Sequence, residues 1–324
     1  MDSRLSALER WLGARFPRET FTLTPASEDA SFRRYLRAAF ADGRTFIAMD
    51  APPDKEDCAP FVRVARLLRA AGVNAPEVIA EDLAQGFLLL TDLGNRTYLD
   101  ALQSGDPAEL FRDATDALVR WQLATRKGEL PPYDEALLRR ELNLFPDWYV
   151  EKHLRRTLSA GEKDGLQGAF RLLVQSALAQ PTVYVHRDYM PRNLMVCEPN
   201  PGVLDFQDAV EGPIAYDLVC LMRDAFISWD EERELDWTIR YWEKARKARL
   251  PVPADFAEFW RAFEWMGLQR HLKVLGIFAR LTYRDGKPRY LADTPRFVNY
   301  ALTVSKRYRD LGPLARLLEG LHPA

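Results

Sequence analysis

The chain has 324 residues, of which 47% are hydrophobic, so it can build the core of one large two-lobed domain or of two ordinary ones. A formal net charge of -2 at pH 7 excludes a strongly basic protein of the kind that nucleic acid or an anionic membrane attracts. The first residues lack the apolar core of a signal peptide, and no run reaches the roughly 18 apolar residues of a membrane-spanning helix. We therefore expect a cytoplasmic protein with neither nucleic-acid nor membrane partners, and its oligomeric state stays open. Its three cysteines share no disulfide or metal-ligand spacing and predict buried thiols: Cys58, Cys197 and Cys220.

The first ninety or so residues predict a small α+β unit. Apolar residues recur at helical spacing near the amino terminus, at Leu5, Leu8, Leu12 and Phe16. Two strand-like runs follow, joined at Asp42 and Gly43, a dipeptide that is typical of tight hairpins. A second helix stops at Gly72, and strands resume in "APEVIAEDLAQGFLLLTDLG".

After Gly94 the pattern becomes mainly helical. The stretches "AELFRDATDALVRWQLATR" and "FAEFWRAFEWMGLQRHLKVLGIFARLTYR" place apolar residues at intervals of three and four. Only the region 184–206 interrupts this pattern with strands. We predict an α+β fold with a small antiparallel-sheet lobe, residues 1–94, and a larger, mainly helical lobe, residues 95–324, joined through residues 90–95.

The stretch "VYVHRDYMPRNLMV", residues 183–196, places several polar side chains between apolar runs. The runs "NLMVCE" and "GVLDFQ" are separated by the turn "PNPG", so they predict a hairpin that brings Asn193 close to Asp205. Asp188 lies in the loop ahead of this hairpin. Two carboxylates and a carboxamide suit Mg²⁺, and a remaining carboxylate can accept the proton of an attacking hydroxyl.

Each of these residues also has a structural alternative. Asp and Asn ahead of a strand often cap their own backbone, and His186 with Arg187 could form a hydrogen-bonded turn. The combination is more specific, because H-x-D-x-x-x-x-N is followed about a dozen residues later by an apolar strand that ends in Asp-Phe. We therefore interpret the constellation as a phosphoryl-transfer site.

The segments "HRDYMPRN" and "LDFQD" resemble the catalytic and metal-binding segments of the protein-kinase-like fold, in its branch of aminoglycoside phosphotransferases and choline kinases. Over nearly the whole chain the sequence is similar to the amino-sugar kinases of that branch. The resemblance implies ATP-dependent phosphorylation of the C1 hydroxyl of N-acetylmuramate and N-acetylglucosamine in peptidoglycan recycling. It implies that Asp188 is the catalytic base, that Asn193 and Asp205 bind Mg²⁺, and that His186 supports the loop. The 1–94 lobe would bind the nucleotide, and the 95–324 lobe would carry the catalytic loop and the acceptor site.

The chain departs from the protein-kinase pattern around the nucleotide phosphates. "SEDASFRRY" replaces a glycine-rich loop, and "FIAMDAPP" offers Met49 or Asp50 where a strand lysine would contact the phosphates. The residues predicted to replace that lysine are Ser31, Arg33 and Arg34, because guanidinium groups and backbone N–H groups bind phosphate well. Solvated arginines on a strand face are the alternative.

"LLLTDLG" predicts a hinge whose backbone contacts the adenine edge, with Thr91 and Leu93 as the contacting residues. A plain strand that ends in a turn at Asp92 and Gly94 is the alternative.

Further downstream, the sequence favours structural roles for the polar residues. Asp217 begins a helical run and would either brace the catalytic loop or interact with the helix dipole. Asp208 lies close in sequence to Asp205 and could be a second metal contact or, equally, a solvent-facing turn residue, so it is left unassigned. One face of a later helix carries basic residues that are expected to be solvated, although they could also meet the lactyl carboxylate of N-acetylmuramate: Arg270, Lys273 and Arg280. His271 is expected to be a packed or surface residue rather than a ligand. The spacing of Trp260 and Trp265 favours core residues, although an aromatic face could also stack on a sugar ring, and the sugar-binding residues stay unassigned.

Two other functions stay open at this point. The acceptor could be an aminoglycoside, choline or another small alcohol, since the motifs specify the fold and the chemistry rather than the acceptor. The missing strand lysine also permits a pseudokinase that binds nucleotide without turnover.

Overall fold

The computed structural model describes residues 3–27, 32–103 and 106–322. The chain forms two compact units, the first from residues 1–121 and 191–209 and the second from residues 122–190 and 210–324. The predicted Ser31 lies outside the described residues.

The first unit is built on a five-stranded antiparallel sheet in the order β1-β2-β3-β5-β4. Helix α1 packs Leu8, Trp11 and Leu12 against Phe87 and Leu89 of the sheet, and burying side chains of this size contributes roughly 1.5–3 kcal/mol each. The strands and helices of this unit are β1 Phe21–Ser27, β2 Arg34–Phe40, β3 Thr45–Asp50, β4 Val78–Asp82, β5 Phe87–Thr91, α1 Ser3–Arg15, α2 Ala59–Ala70 and α3 Tyr98–Ala101. The predicted amino-terminal helix and the strand-rich unit are confirmed.

Two glycines make the turns of this sheet possible. Gly43 adopts φ +88° in the turn between β2 and β3, as the Asp42-Gly43 dipeptide predicted. Gly86, at φ +72°, lies so close to Ala51 that a Cβ there would stand 1.8 Å from the Ala51 carbonyl oxygen. Only a residue without a side chain fits that position.

A short hairpin, β7 Leu194–Met195 and β8 Gly202–Val203, belongs to this first unit. The N–H of Val203 donates to the carbonyl of Asn74 at 2.8 Å, and the N–H of Val196 donates to the carbonyl of Arg96 at 2.9 Å. The compact units differ from the predicted division after residue 94, and these backbone bonds join the hairpin to the loop ahead of β4 and to the segment just before α3.

The second unit is mainly helical, as predicted, and centres on the 28-residue helix α9. Apolar residues surround much of α9, since it packs against α5, α6, α7 and α10. Its elements are α5 Glu135–Leu144, the π-helical segment Phe145–His153, α6 Ala160–Ala179, β6 Thr182–Val185, β9 Val210–Pro213, α7 Tyr216–Met222, α8 Glu231–Lys247, α9 Phe256–Tyr283, α10 Thr294–Arg307 and α11 Gly312–Leu321. Helix α4, Pro107–Leu123, begins in the first unit and ends in the second. Short 3₁₀ turns cover Pro191–Asn193, Pro288–Asp293 and Arg309–Leu311.

Within the described residues, no helix combines the length and the apolar composition needed to cross a membrane. The three cysteines carry no disulfide. Cys58 and Cys220 are buried as predicted, whereas Cys197 in the hairpin is only partly buried, which corrects that expectation.

Candidate active site

The loop that carries the H-x-D motif follows strand β6 and is held by a buried carboxylate. Asp217, at the start of α7, accepts the backbone N–H of His186 at 2.6 Å and that of Arg187 at 2.9 Å. Arg187 adopts φ +77°, a conformation that non-glycine residues avoid, so the two bonds fix a turn that the chain would not adopt by itself. Of the two structural roles considered for Asp217, the bracing of this loop is the one that the hydrogen bonds support.

Burial raises the pKa of Asp217 to about 7, although both backbone N–H bonds favour its ionised form. His186 adds a second brace within the loop, because its Nδ1 accepts the backbone N–H of Asp188 at 3.3 Å. The His186 ring also meets Tyr189 edge to face, with the ring centroids 5.6 Å apart. These contacts orient the segment from which the Asp188 side chain projects.

A second buried carboxylate, Glu141 of α5, holds the side chain of Arg187. Arg187 Nη2 lies 2.6 Å from Glu141 Oε1, and Lys273 Nζ lies 3.0 Å from the same oxygen. Tyr133 donates its hydroxyl to the other oxygen, and Gln269 Nε2 donates to that oxygen at 3.3 Å. Burial alone would raise the pKa of Glu141, but Lys273 and Arg187 outweigh it and lower the pKa to about 2. The motif gave no signal for Glu141, which lies 46 positions before Arg187.

In the first unit, the hairpin brings Asn193 and Asp205 together, as its turn predicted. The N–H of Leu204 donates to the carbonyl of Asn193 at 2.9 Å, and Asn193 Nδ2 lies 3.2 Å from Asp205 Oδ2. Gln207 Nε2 donates to the other oxygen of Asp205 at 2.9 Å. Asp205 is exposed and adopts φ +62°. Asp208 is also exposed.

The donors of this hairpin fit a magnesium ion that is shared with phosphates. Mg²⁺ is commonly held by one or two carboxylates, with waters and substrate phosphates filling its octahedral shell. One carboxylate and one carboxamide stand side by side here. No cluster of three or more acidic, histidine or cysteine ligands exists in the part of the chain that the structure describes, so a cage built from protein alone does not fit.

A cavity of about 260 Å³ lies in the first unit. Phe61 and Phe206 form part of its apolar wall, with ring centroids 4.8 Å apart. Other apolar lining residues are Tyr35, Ile47, Leu90, Leu93, Met195 and Leu204, and the polar ones include Arg37, Arg192, Asn193 and Asp205. An apolar cavity with polar groups at one part of its wall is the usual form of a site for a small organic ligand.

Thr91 and Leu93, the predicted adenine contacts, both line this cavity. The N–H of Thr91 already donates to the carbonyl of Glu77 at 3.1 Å, and the Thr91 hydroxyl accepts the N–H of Glu77 at 2.9 Å. The Thr91 N–H is therefore already paired within the protein, and backbone contacts from Thr91 and Leu93 to an adenine edge stay a prediction.

The arginines predicted at the phosphates are engaged in ion pairs. Arg33 Nη2 lies 2.9 Å from Glu56 Oε2. Arg34 donates its Nε to Asp50 at 3.0 Å, and Arg4 of α1 donates its Nε to the same carboxylate at 2.8 Å. Asp50, at the position of the absent strand lysine, is fully buried. The side chain of Arg33 is therefore largely covered, whereas that of Arg34 keeps 41% of its surface exposed beside its ion pair.

Sequence reasoning missed Arg37, which also lines the cavity. Its Nε lies 2.6 Å from Asp92 Oδ2, and its Nη2 donates to the carbonyl of Gly94 at 2.8 Å. Burial and the hydrogen bond to Asp92 act on this guanidinium in opposite directions, and the net effect is a raised pKa. Strand alternation could have found it, since Arg37 follows the cavity residue Tyr35 by two positions on β2.

The basic residues of α9 are not the solvated face that was expected. Arg270 and Lys273 are buried, and Lys273 belongs to the Glu141 network, because neighbouring elements cover α9 on several sides. His271 is fully buried and stacks on Tyr300 with ring centroids 4.8 Å apart, so it is a packed rather than a surface residue. Trp260 stacks on Phe263 at 5.2 Å, and Trp265 is 4% exposed, so both are packing residues as predicted.

Comparison with known proteins supplies the family. The sequence profile of the phosphotransferase enzyme family matches residues 22–252. A Pseudomonas aeruginosa protein named N-acetylmuramate/N-acetylglucosamine kinase is 54% identical over 99% of this chain and 97% of its own length. A Caulobacter vibrioides protein of the same name is 32% identical over 84% of each chain.

Solved structures confirm the α+β, protein-kinase-like fold. A choline/ethanolamine kinase family protein from Mesorhizobium loti matches with a TM-score of 0.64 at 16% identity, over 97% of this chain and 99% of that one. The ADP-bound aminoglycoside phosphotransferase APH(2'')-Ib matches with a TM-score of 0.60 at 14% identity, over 93% and 98% of the two chains. Similarity at this level of identity shows the fold alone. Together with the profile and the named kinases, it identifies the chain as an enzyme, a phosphotransferase that belongs to the phosphotransferase enzyme family.

Proposed function

We propose that this phosphotransferase is a sugar kinase that transfers a phosphoryl group from MgATP to the C1 hydroxyl of N-acetylmuramate and N-acetylglucosamine, in the cytoplasm and within peptidoglycan recycling. The assignment of these two sugars as acceptors rests on the sequence identity of 54%, over 99% of the chain, to a kinase named for them. The loop and the hairpin described above support the reaction class.

The first unit would bind the nucleotide. Its cavity is slightly smaller than the roughly 300–1,000 Å³ of typical ligand pockets, so it suits the nucleoside part of ATP better than the whole molecule. Phe61 and Phe206 offer apolar surface to the faces of the adenine base. The backbone of Leu93 stays our candidate for the contact with the edge of that base. At the phosphates, we keep Ser31, Arg33 and Arg34 and add Arg37 and Arg192, which line the cavity.

Asn193 and Asp205 would hold Mg²⁺, which neutralises phosphate charge when it is bound. The loop of the second unit would supply the base. Asp188 would accept the proton of the acceptor hydroxyl, while His186 and Asp217 keep its backbone in place. Little covalent chemistry is needed beyond this, because positioning and charge neutralisation lower most of the barrier to phosphoryl transfer.

The test is phosphoryl transfer from MgATP to N-acetylmuramate and N-acetylglucosamine, with choline and kanamycin as other acceptors. We expect phosphate at C1 of both sugars, identified by ³¹P–¹H coupling to the anomeric proton. Asp188→Asn should lower kcat by roughly 10²–10⁴-fold. Asp236→Asn, which removes half of an exposed ion pair on α8, is the matched control and should leave kcat unchanged.

Turnover on choline or kanamycin alone would overturn the assignment of the acceptor. ATP binding without turnover on any acceptor would instead identify a pseudokinase. Full activity of Asp188→Asn would remove Asp188 as the base while leaving the kinase assignment intact.

A further inference from the structure

Arg270, on helix α9, is a buried cation without an anionic partner. Its side chain is covered almost completely, since the residue is 3% exposed. Nη1 donates to the backbone carbonyl of Arg223 at 3.2 Å. Over residues 3–27, 32–103 and 106–322, no carboxylate forms an ion pair with this guanidinium. Burying an unpaired charge is costly, so the arrangement calls for an explanation.

Other strongly buried cations of the second unit each have a carboxylate in contact. Arg223 lies 3.0 Å from Glu234 and 3.5 Å from Glu264. Lys273 lies 3.0 Å from Glu141. In the second unit these buried cations are therefore paired with carboxylates by direct contact, and Arg270 is an exception to this pattern.

Two carboxylates, Asp188 and Asp224, act electrostatically on Arg270 without forming an ion pair with it. Burial acts to lower the pKa of Arg270, but neighbouring groups, these carboxylates among them, outweigh burial and raise the pKa above the usual value. The guanidinium therefore stays charged within the electrostatic reach of Asp188, the proposed base. It belongs to the same compact unit as that base.

Asp224 supplies a second unsatisfied group near Arg270. The residue is fully buried, and its Oδ1 accepts the backbone N–H groups of Phe226 at 2.7 Å and Ile227 at 3.1 Å. Its Oδ2 has no hydrogen-bond partner among the described residues. Burial raises the pKa of Asp224, and Arg270 acts in the opposite direction. A buried cation and a buried acceptor that do not bond to each other leave their hydrogen-bonding capacity to a polar ligand.

We propose that Arg270 binds the lactyl carboxylate of N-acetylmuramate and that Asp224 accepts a hydrogen bond from the same sugar. This inference rests on the proposed function. A guanidinium matches a carboxylate with two parallel N–H···O bonds, which gives it geometric selectivity for this group. N-acetylglucosamine has no lactyl group, so Arg270 would be a specificity residue for one of the two acceptors and would be dispensable for the other.

The experiment compares kcat/KM for the two sugars in native protein, Arg270→Met and Arg270→Lys. We expect Arg270→Met to lower kcat/KM for N-acetylmuramate by about 10- to 100-fold, mainly through KM, because a hydrogen bond to a charged group is lost. The value for N-acetylglucosamine should change by less than about threefold. For Arg270→Lys, kcat/KM for N-acetylmuramate should lie between the values for native protein and for Arg270→Met, because the positive charge stays while the planar guanidinium is lost. Arg280→Met, further along the same helix and partly exposed, is the control and should preserve the native ratio of the two sugars.

A second measurement does not depend on the folding of any variant. Native protein is assayed with N-acetylmuramate and with its methyl ester, in which the negative charge is removed. We expect kcat/KM of the native protein for the ester to be about 10- to 100-fold below that for the acid, because the charged hydrogen bonds to Arg270 are lost.

Equal losses on both sugars in Arg270→Met, or equal use of acid and ester by the native protein, would overturn the inference. Equal losses with a reduced kcat would instead give Arg270 a role at the transferred phosphoryl group. If native protein phosphorylates neither sugar, the proposed function itself fails, and the result is distinct from a failure of Arg270 alone.

Discussion

Replacing Glu141 by glutamine removes the negative charge that four donors share in the second unit. Arg187 and Lys273 contact this carboxylate at 2.6 Å and 3.0 Å, and the Glu141 side chain is 6% exposed. Glutamine has nearly the same shape but removes the negative charge that the buried Lys273 and the partly buried Arg187 both contact. Removing one partner of a buried ion pair typically costs about 3–5 kcal/mol. We expect the free energy of unfolding at neutral pH to fall by about that amount.

The pKa of Glu141 gives the pH dependence of this effect. It is lowered from 4.5 to about 2, and each pKa unit corresponds to roughly 1.4 kcal/mol, so the ionised group contributes about 3 kcal/mol of stability. For a carboxylate with a lowered pKa, this contribution is present above about pH 4.5 and is lost as the pH falls towards 2. The difference in unfolding free energy between native protein and Glu141→Gln should therefore narrow by about 1 kcal/mol between about pH 6 and about pH 3.5, and narrow further below that.

Equilibrium urea unfolding at several pH values, followed by circular dichroism and tryptophan fluorescence, measures this difference. Glu135→Gln is the matched control, because Glu135 is an exposed residue of the same helix paired with Arg139 at 2.6 Å. Glu135→Gln should change the free energy of unfolding by no more than about 0.5 kcal/mol. A Glu141→Gln cost equal to that of the control, or one that does not change with pH, would refute the reasoning. Since Arg187 belongs to the loop that carries Asp188, kcat should also fall on both sugars.

Other sites give shorter predictions. Asp217→Asn should lower kcat about 10- to 100-fold, because an amide cannot accept both backbone N–H groups of the loop, and a wild-type kcat in the variant would contradict the proposed brace. Asp50→Asn should lower the free energy of unfolding by about 3 kcal/mol in urea titrations, because two arginines lose a fully buried partner; a change below about 1 kcal/mol would argue against this pairing. Gly276→Ala should lower the melting temperature strongly, because its Cβ would stand 2.3 Å from a backbone carbon of α5. Gly13→Ala, with open space around its Cβ in α1, should preserve or raise the melting temperature and serves as its control.

Local patterns in the sequence were sufficient to predict several helices and strands and to locate the H-x-D motif. The hairpin at Asp42 and Gly43 and the helix around Leu8 depend on residues a few positions apart, and the structure has both. The same is true of Asn193 and Asp205, since a short turn between two strands determines which residues face each other. Spacing within one segment therefore predicted that Asn193 and Asp205 lie side by side.

The tertiary structure decided which partners the charged residues have. Periodicity showed that Arg270 and Lys273 share a face of α9, but only the packing of neighbouring elements shows that the face is buried. Glu141 and Asp217 are distant in sequence from the loop that they hold, by 46 and 31 positions at the contacts to Arg187 and His186. The sequence by itself determined the motif, because its members are separated by short spacings, and the chemistry assigned to those residues stays a prediction. The buried ion pairs that orient the loop, and the unpaired charge of Arg270, were decided by long-range contacts that no local pattern encodes.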